Sequence, residues 1–190
     1  MCSAFCQLQT LNFSKMTQEE VDKVKKYGRR HLEWCVKLYE AQMAQGLYFL
    51  HEHPAFASSW EEPGMIELCQ RIGVHVVRGD MCQFGMKQKV NGKWEPVKKP
   101  TKFMTNAEEI GKTLGKTCDN PRLKNPHPHV IILGKRAKDA QVYPEKLCKK
   151  IVVGLCRQVI RDRMCTPQTI WEHEINEIQE EFDPCYENWE

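Results

Sequence analysis

Between residues 17 and 54 the hydrophobic pattern changes period once, and that change limits the folds open to the chain. Thr17-Gln18-Glu19-Glu20 is a capping box, in which the threonine hydroxyl and the glutamate carboxylate satisfy the opening amides of a helix reciprocally. Apolar residues follow at Val21, Val24, Leu32, Cys35, Val36, Tyr39 and Met43. Their steps keep one face apolar at the helical repeat. Gly28 lies on that face, and Gly46 is a natural terminator. The next run, Leu47-Tyr48-Phe49-Leu50-His51, is short and continuously apolar, as expected of a doubly buried parallel strand. A long helix feeding directly into a buried strand excludes an all-helical bundle and an all-β sandwich.

Downstream the same alternation continues. Pro63 and Gly64 open a short helix over Met65–Ile72, and Val74-His75-Val76-Val77 reads as a strand running into Asp80-Met81-Cys82-Gln83-Phe84-Gly85. Val90-Asn91-Gly92-Lys93 is a hairpin turn signal. Pro100–Asn106 reads as a strand whose final asparagine caps a helix over Ala107–Leu114. A polar loop covers Asp119–His129, and Val130-Ile131-Ile132-Leu133 reads as a short strand. A helix is expected from Tyr143-Pro144-Glu145 to about Arg161, and an acidic helix after Pro167. The expected fold is α/β, a partial doubly wound sheet with flanking helices. Residues 1–164 form its body and residues 165–190 an acidic helical tail or linker. In such sheets ligands sit beyond the carboxyl ends of the strands, which points to Glu52-His53-Pro54 and Asp80–Gln83.

Charge is distributed unevenly. Eight acidic residues and no Lys or Arg fall between Trp171 and Glu190, leaving +11 on the rest of a chain whose net charge is +3. Lys87, Lys89, Lys93, Lys98, Lys99 and Lys102 cluster with only Glu95 between them. A body of this charge suits a polyanion, and DNA is the expected partner. No apolar run approaches the roughly 20 residues of a membrane span, so no membrane partner is expected. The ten cysteines contain no CxxC pair and are read as thiols of an intracellular protein, nuclear or cytoplasmic.

Cys2-Ser3-Ala4-Phe5-Cys6, the long helix, Glu52-His53-Pro54, Asp80–Gly85, Lys99-Pro100-Thr101 and Thr105-Asn106 occur in an order that resembles a known family. The order is similar to the second half of a C5-cytosine DNA methyltransferase-like domain of class I S-adenosylmethionine fold. The closer likeness is to the divergent version carried in copia-type retrotransposon polyproteins. The resemblance implies Cys2 as the nucleophile that adds to C6 of a flipped-out cytosine, and Glu52 as the group that meets N3. It implies substrate contacts from Gln83, Lys98, Lys99, Thr101 and Asn106. The family's glycine-rich strand-turn, which holds S-adenosylmethionine, is not in this sequence. The chain is therefore expected to be part of a longer polyprotein and inactive alone.

Cys118, His127 and His129 share one loop, and thiolate with imidazole is a zinc-binding set that Cys148 or Cys82 would complete. Two further functional readings stand beside the methyltransferase-like one. The first is a non-catalytic nucleic-acid-binding module of a retrotransposon polyprotein, for which the discriminating property is steep salt dependence. The second is a zinc-stabilised interaction domain.

Overall fold

The capping box at Thr17 opens α2 (Gln18–Ala44), with the Thr17 amide donating to Glu20 Oε2 at 2.8 Å and the Glu20 amide to Thr17 Oγ1 at 3.3 Å. The computed structural model describes residues 3–120, 126–132 and 135–162, apart from the side chains of Ser3, Leu8 and Lys135. Cys2 and the expected acidic helix lie outside the described residues. A short helix, α1 (Gln7–Phe13), precedes α2. The remaining elements are β1 (Leu50–Pro54), α3 (Pro63–Gln70), β2 (His75–Asp80), β3 (Lys87–Val90), β4 (Lys93–Pro96), β5 (Pro100–Thr105), α4 (Glu108–Leu114), α5 (Lys135–Asp139) and α6 (Glu145–Arg161).

The sheet has the order β1-β5-β2, with β5 antiparallel to both neighbours. Its topology follows from the connections. The α3 crossover carries the chain back to the start of the sheet, so β2 runs parallel to β1. After Asp80 there is no such crossover. A 3-10 turn (Met81–Phe84) and the β3–β4 hairpin return the chain at the end where β2 stopped, and β5 must run the other way. The doubly wound parallel sheet expected from the sequence is therefore not what these strands form. They make a small antiparallel sheet within a mixed α/β fold.

β5 also divides the core, because successive strand residues point to opposite faces. Phe103 joins a cluster with Phe84, Val97, Ile110, Leu114 and Leu147 from α4, α6 and their neighbours. Met104 joins Leu32, Met65 and Leu68 from α2 and α3 on the other face. The result is three layers, with α2 and α3 on one side of the sheet and α4 and α6 on the other. The α4–α6 contact is close enough that a Cβ on Gly154 would meet Ile110 Cα at 2.7 Å, so this position admits only glycine without a shift of the helices.

Three local expectations change. The strand begins at Leu50 rather than Leu47, because the Asn106 side chain occupies the backbone before it. Asn106 Oδ1 accepts from the Phe49 amide, and Nδ2 donates to the Leu47 carbonyl. For the same reason Asn106 does not cap α4. The N-cap residue is Ala107, and the amide of Ala107 is held by Thr105 Oγ1. The expected strand from Val130 is irregular over its described residues 130–132, tied to β4 by the Val130 amide donating to the Pro96 carbonyl. The Asn91-Gly92 turn forms as expected, with both residues at positive φ (50° and 83°). No described helix is long and apolar enough to cross a membrane.

Candidate functional site

Because β1 and β2 are parallel, both end on the same side of the sheet, and the N-terminal end of β5 lies between them. Two groups of polar side chains have formed there, one beside each strand end.

The first group surrounds a cavity of about 380 Å³ that runs round the free edge of β1 and takes in side chains from both faces. Its lining includes Phe5, Tyr39, His51, Glu52, His53, Ser59 and Tyr143. Tyr143, just before α6, donates its hydroxyl to Glu52 Oε2 at 2.6 Å. Lys99 Nζ stands 4.0 Å from Glu52 Oε1, donates to the Ala140 carbonyl and lies over the Tyr143 ring. Burial lowers the Lys99 pKa, with Glu52 opposing that shift, and burial together with the Glu52 hydrogen bond raises that of Tyr143. Lys99 has φ 31°, an uncommon conformation for a residue with a side chain, and local strain of this kind gathers at functional sites.

On the other face of β1, His51 Nδ1 is 3.0 Å from the Tyr39 hydroxyl. Burial pushes both His51 and His53 down to about 4, so both imidazoles are neutral at pH 7. Among the described residues five buried side-chain polar atoms make no hydrogen bond. Four of them, Glu52 Oε1, His51 Nε2, His53 Nε2 and Ser59 Oγ, belong to residues that line this cavity. Buried polar groups are nearly always paired, so four in one place need a common explanation.

The second group lies beyond β2. Cys82 sits in the 3-10 turn, Cys118 follows α4, and His127 and His129 flank Pro128. Their ligand atoms all lie within 4.8 Å of one another, and the cluster could hold a metal ion. Cys118 Sγ is 3.7 Å from His127 Nε2 and 3.6 Å from His129 Nε2, and the two imidazole nitrogens are 3.0 Å apart. Asp80, fully buried at the end of β2, accepts the Cys118 amide at 2.9 Å and is flanked by Arg78 and Lys98. Asn120 Oδ1 accepts the His127 amide. Burial and the neighbouring Cys118 thiol push the Cys82 thiol up, and burial pushes His129 down.

The residues singled out from the sequence thus fall into several places. Glu52 and Lys99 come together at the cavity, and Cys118, His127 and His129 come together at the metal cluster, where Lys98 approaches Asp80. Cys82 completes the cluster, whereas Cys148 is exposed and outside it. Gln83 is half-buried in the 3-10 turn and does not line the cavity. Thr101 is fully buried, with its hydroxyl on the Lys99 carbonyl, and Asn106 is engaged with the backbone before β1. Sequence reasoning missed Tyr143, His51 and Ser59. His51 carried a usable signal, since a histidine at the end of an apolar run must bring a polar ring into the interior.

Compared with protein-family models, curated proteins and solved structures, the chain matches none.

Proposed function

We propose that this chain is the base-binding part of a retroelement-encoded, cytosine-5 DNA methyltransferase-like protein. The observation that carries the reading is that Glu52, His51, His53 and Ser59 all line one cavity with Phe5, Tyr39 and Tyr143, and that each carries a buried polar atom without a hydrogen bond. A flat ring with several donors and acceptors on its edge would satisfy such a set, and an extruded base is a ring of that kind. Glu52, the middle residue of β1, is the one to which the resemblance assigns the contact with cytosine N3. Phe5 lines the same cavity, and the chain from it back to Cys2 spans at most about 11 Å.

In this reading the Cys2 thiolate forms a bond to C6 and the displaced ring electrons move toward N3. N3, met by Glu52, takes up a proton that neutralises the charge there, which leaves C5 nucleophilic. The donor-binding glycine-rich turn is not in this sequence, and no described residue takes its place. Methyl transfer from S-adenosylmethionine is therefore not assigned to these residues, and the remainder of a longer polyprotein would have to supply it. The nucleus, where such DNA resides, is the corresponding location.

The reading is tested by fluorescence anisotropy with duplex DNA carrying one unpaired cytosine or one unpaired thymine. Tighter binding of the cytosine duplex, by about 10-fold and lost in Glu52→Gln, is the expected result. Equal affinity for the two duplexes would overturn it.

A second reading, a non-catalytic nucleic-acid-binding module, is favoured by the β3–β4 hairpin. Lys87, Lys89 and Lys93 are exposed there, and the Trp94 ring opposite Lys89 is 66% exposed. An exposed aromatic among lysines offers both stacking and phosphate contact. Salt-steep binding without base discrimination would select this reading.

A further inference from the structure

We propose that Cys82, Cys118, His127 and His129 form a closed tetrahedral zinc site that fastens the segment around His127–Val130 and the exit of α4 to the end of β2.

The first argument is metric. Zinc–sulfur and zinc–nitrogen bonds of about 2.3 and 2.0–2.1 Å set the edges of a tetrahedron. A sulfur–nitrogen edge is then about 3.5 Å and a nitrogen–nitrogen edge about 3.3 Å. Cys118, His127 and His129 have 3.6 and 3.7 Å for the former and 3.0 Å for the latter, so these three need to move only by tenths of an ångström, and the Cys82 ligand atom lies within 4.8 Å of each of them. The second argument is chemical. Two imidazole nitrogens at this separation share at most one proton, and two thiols beside them are weak hydrogen-bond partners. A tetrahedral S2N2 set of this type selects zinc among the common divalent ions.

Charge supports the same assignment. Two thiolates and two neutral imidazoles neutralise a divalent ion, so the loaded centre adds no net charge to the interior. Asp80 remains, and its carboxylate is already balanced by Arg78 and Lys98 while it holds the Cys118 amide. Asp80 thus positions a ligand without being one, the usual office of the groups around a metal centre. All four positions are filled by protein, which marks a structural site rather than a catalytic one. The segment it holds has few other anchors. It contains no described strand, and Val130 enters the core directly after His129.

The test measures zinc by elemental analysis in the purified full chain, followed by cobalt replacement and visible spectroscopy. One zinc per chain is expected, with thiolate-to-cobalt charge transfer and the d–d bands of tetrahedral coordination. Cys118→Ser and His129→Asn should each abolish stoichiometric binding, whereas Cys148→Ser should keep it. Should the ligand variants fail to fold, Asp80→Asn offers a milder probe, lowering zinc affinity by about 10-fold or more. Three results would overturn the proposal. They are folded protein whose melting temperature ignores both zinc and chelator, a Cys82–Cys118 disulfide found by mass spectrometry in protein purified under reducing conditions, and an octahedral cobalt spectrum.

Discussion

The two groups at the strand ends differ in how their polar atoms are satisfied. Around Glu52, four buried oxygens and nitrogens of residues that line one cavity make no hydrogen bond. Around Cys118, four possible ligand atoms lie within 4.8 Å of one another. An arrangement of the first kind suits something that enters and leaves. One of the second kind suits an ion that stays. The two also differ in assembly. The cavity draws on the N-terminal segment, α2, β1 and the start of α6, so it exists only once distant parts of the chain have met. The cluster is built from a strand end and two short segments that β2, α4 and β4 hold nearby.

If the comparison is right, metal removal should be the largest perturbation. With free zinc about 1,000-fold above its dissociation constant, loading contributes about 4 kcal/mol, so a chelator should lower the calorimetric melting temperature by many degrees. The Glu52→Gln variant should show the same drop, because its change lies outside the cluster.

In zinc-free protein acid should act chiefly on the cavity, since protonation of imidazole and thiolate ligands would itself release a bound zinc. His51 and His53 have folded pKa values of about 4 against an ordinary 6.5, so below pH 6.5 the unfolded chain binds more protons than the folded one. Their contribution is complete above pH 6.5 and is lost as pH falls toward 4, by a few kcal/mol in all. Urea denaturation across that range measures it, and His53→Asn should flatten the slope. A slope unchanged in this variant would remove His53 from the account.

Tyr143→Phe leaves a nearly buried carboxylate oxygen without its donor and should destabilise the chain by about 1–3 kcal/mol in the same assay. Zinc stoichiometry should not change. In a double-mutant cycle with Glu52→Gln the two effects should be non-additive, since the groups share one hydrogen bond. The smallest expected effect is remote from both sites. Thr17→Ala removes the α2 cap and should cost about 1 kcal/mol without altering the pH dependence of stability.

Much of the helical framework was legible in the sequence because its signals are local. The Thr17–Glu20 box, the apolar stripe of α2 and the Asn91-Gly92 turn each specify their own geometry. The direction of β5 was not legible, since it depends on what lies between strands rather than on the strand's own residues. The start of β1 was misplaced for a similar reason: Asn106, 57 and 59 residues from its two partners, occupies the backbone groups that a ladder would have used. Cys118, His127 and His129 could be grouped because they are near in sequence, while choosing Cys82 over Cys148 required the fold. Tyr143 carried no signal at all, for its partner Glu52 is reached only through tertiary packing.

Lys98 and Lys99 are neighbours in the chain, yet one reaches Asp80 beside the cysteines and the other reaches Glu52 in the cavity. Surface connections usually absorb changes of length during evolution. This one should not. Adding or deleting a single residue between the buried Val97 and the first residue of β5 would shift both lysines relative to Asp80 and Glu52, so that the two carboxylates would not both keep their cation. Length in this connection is therefore a heritable constraint as strict as residue identity. In a series of single-residue insertions, the β3–β4 tip should accept an added residue with far less loss of stability than this connection does.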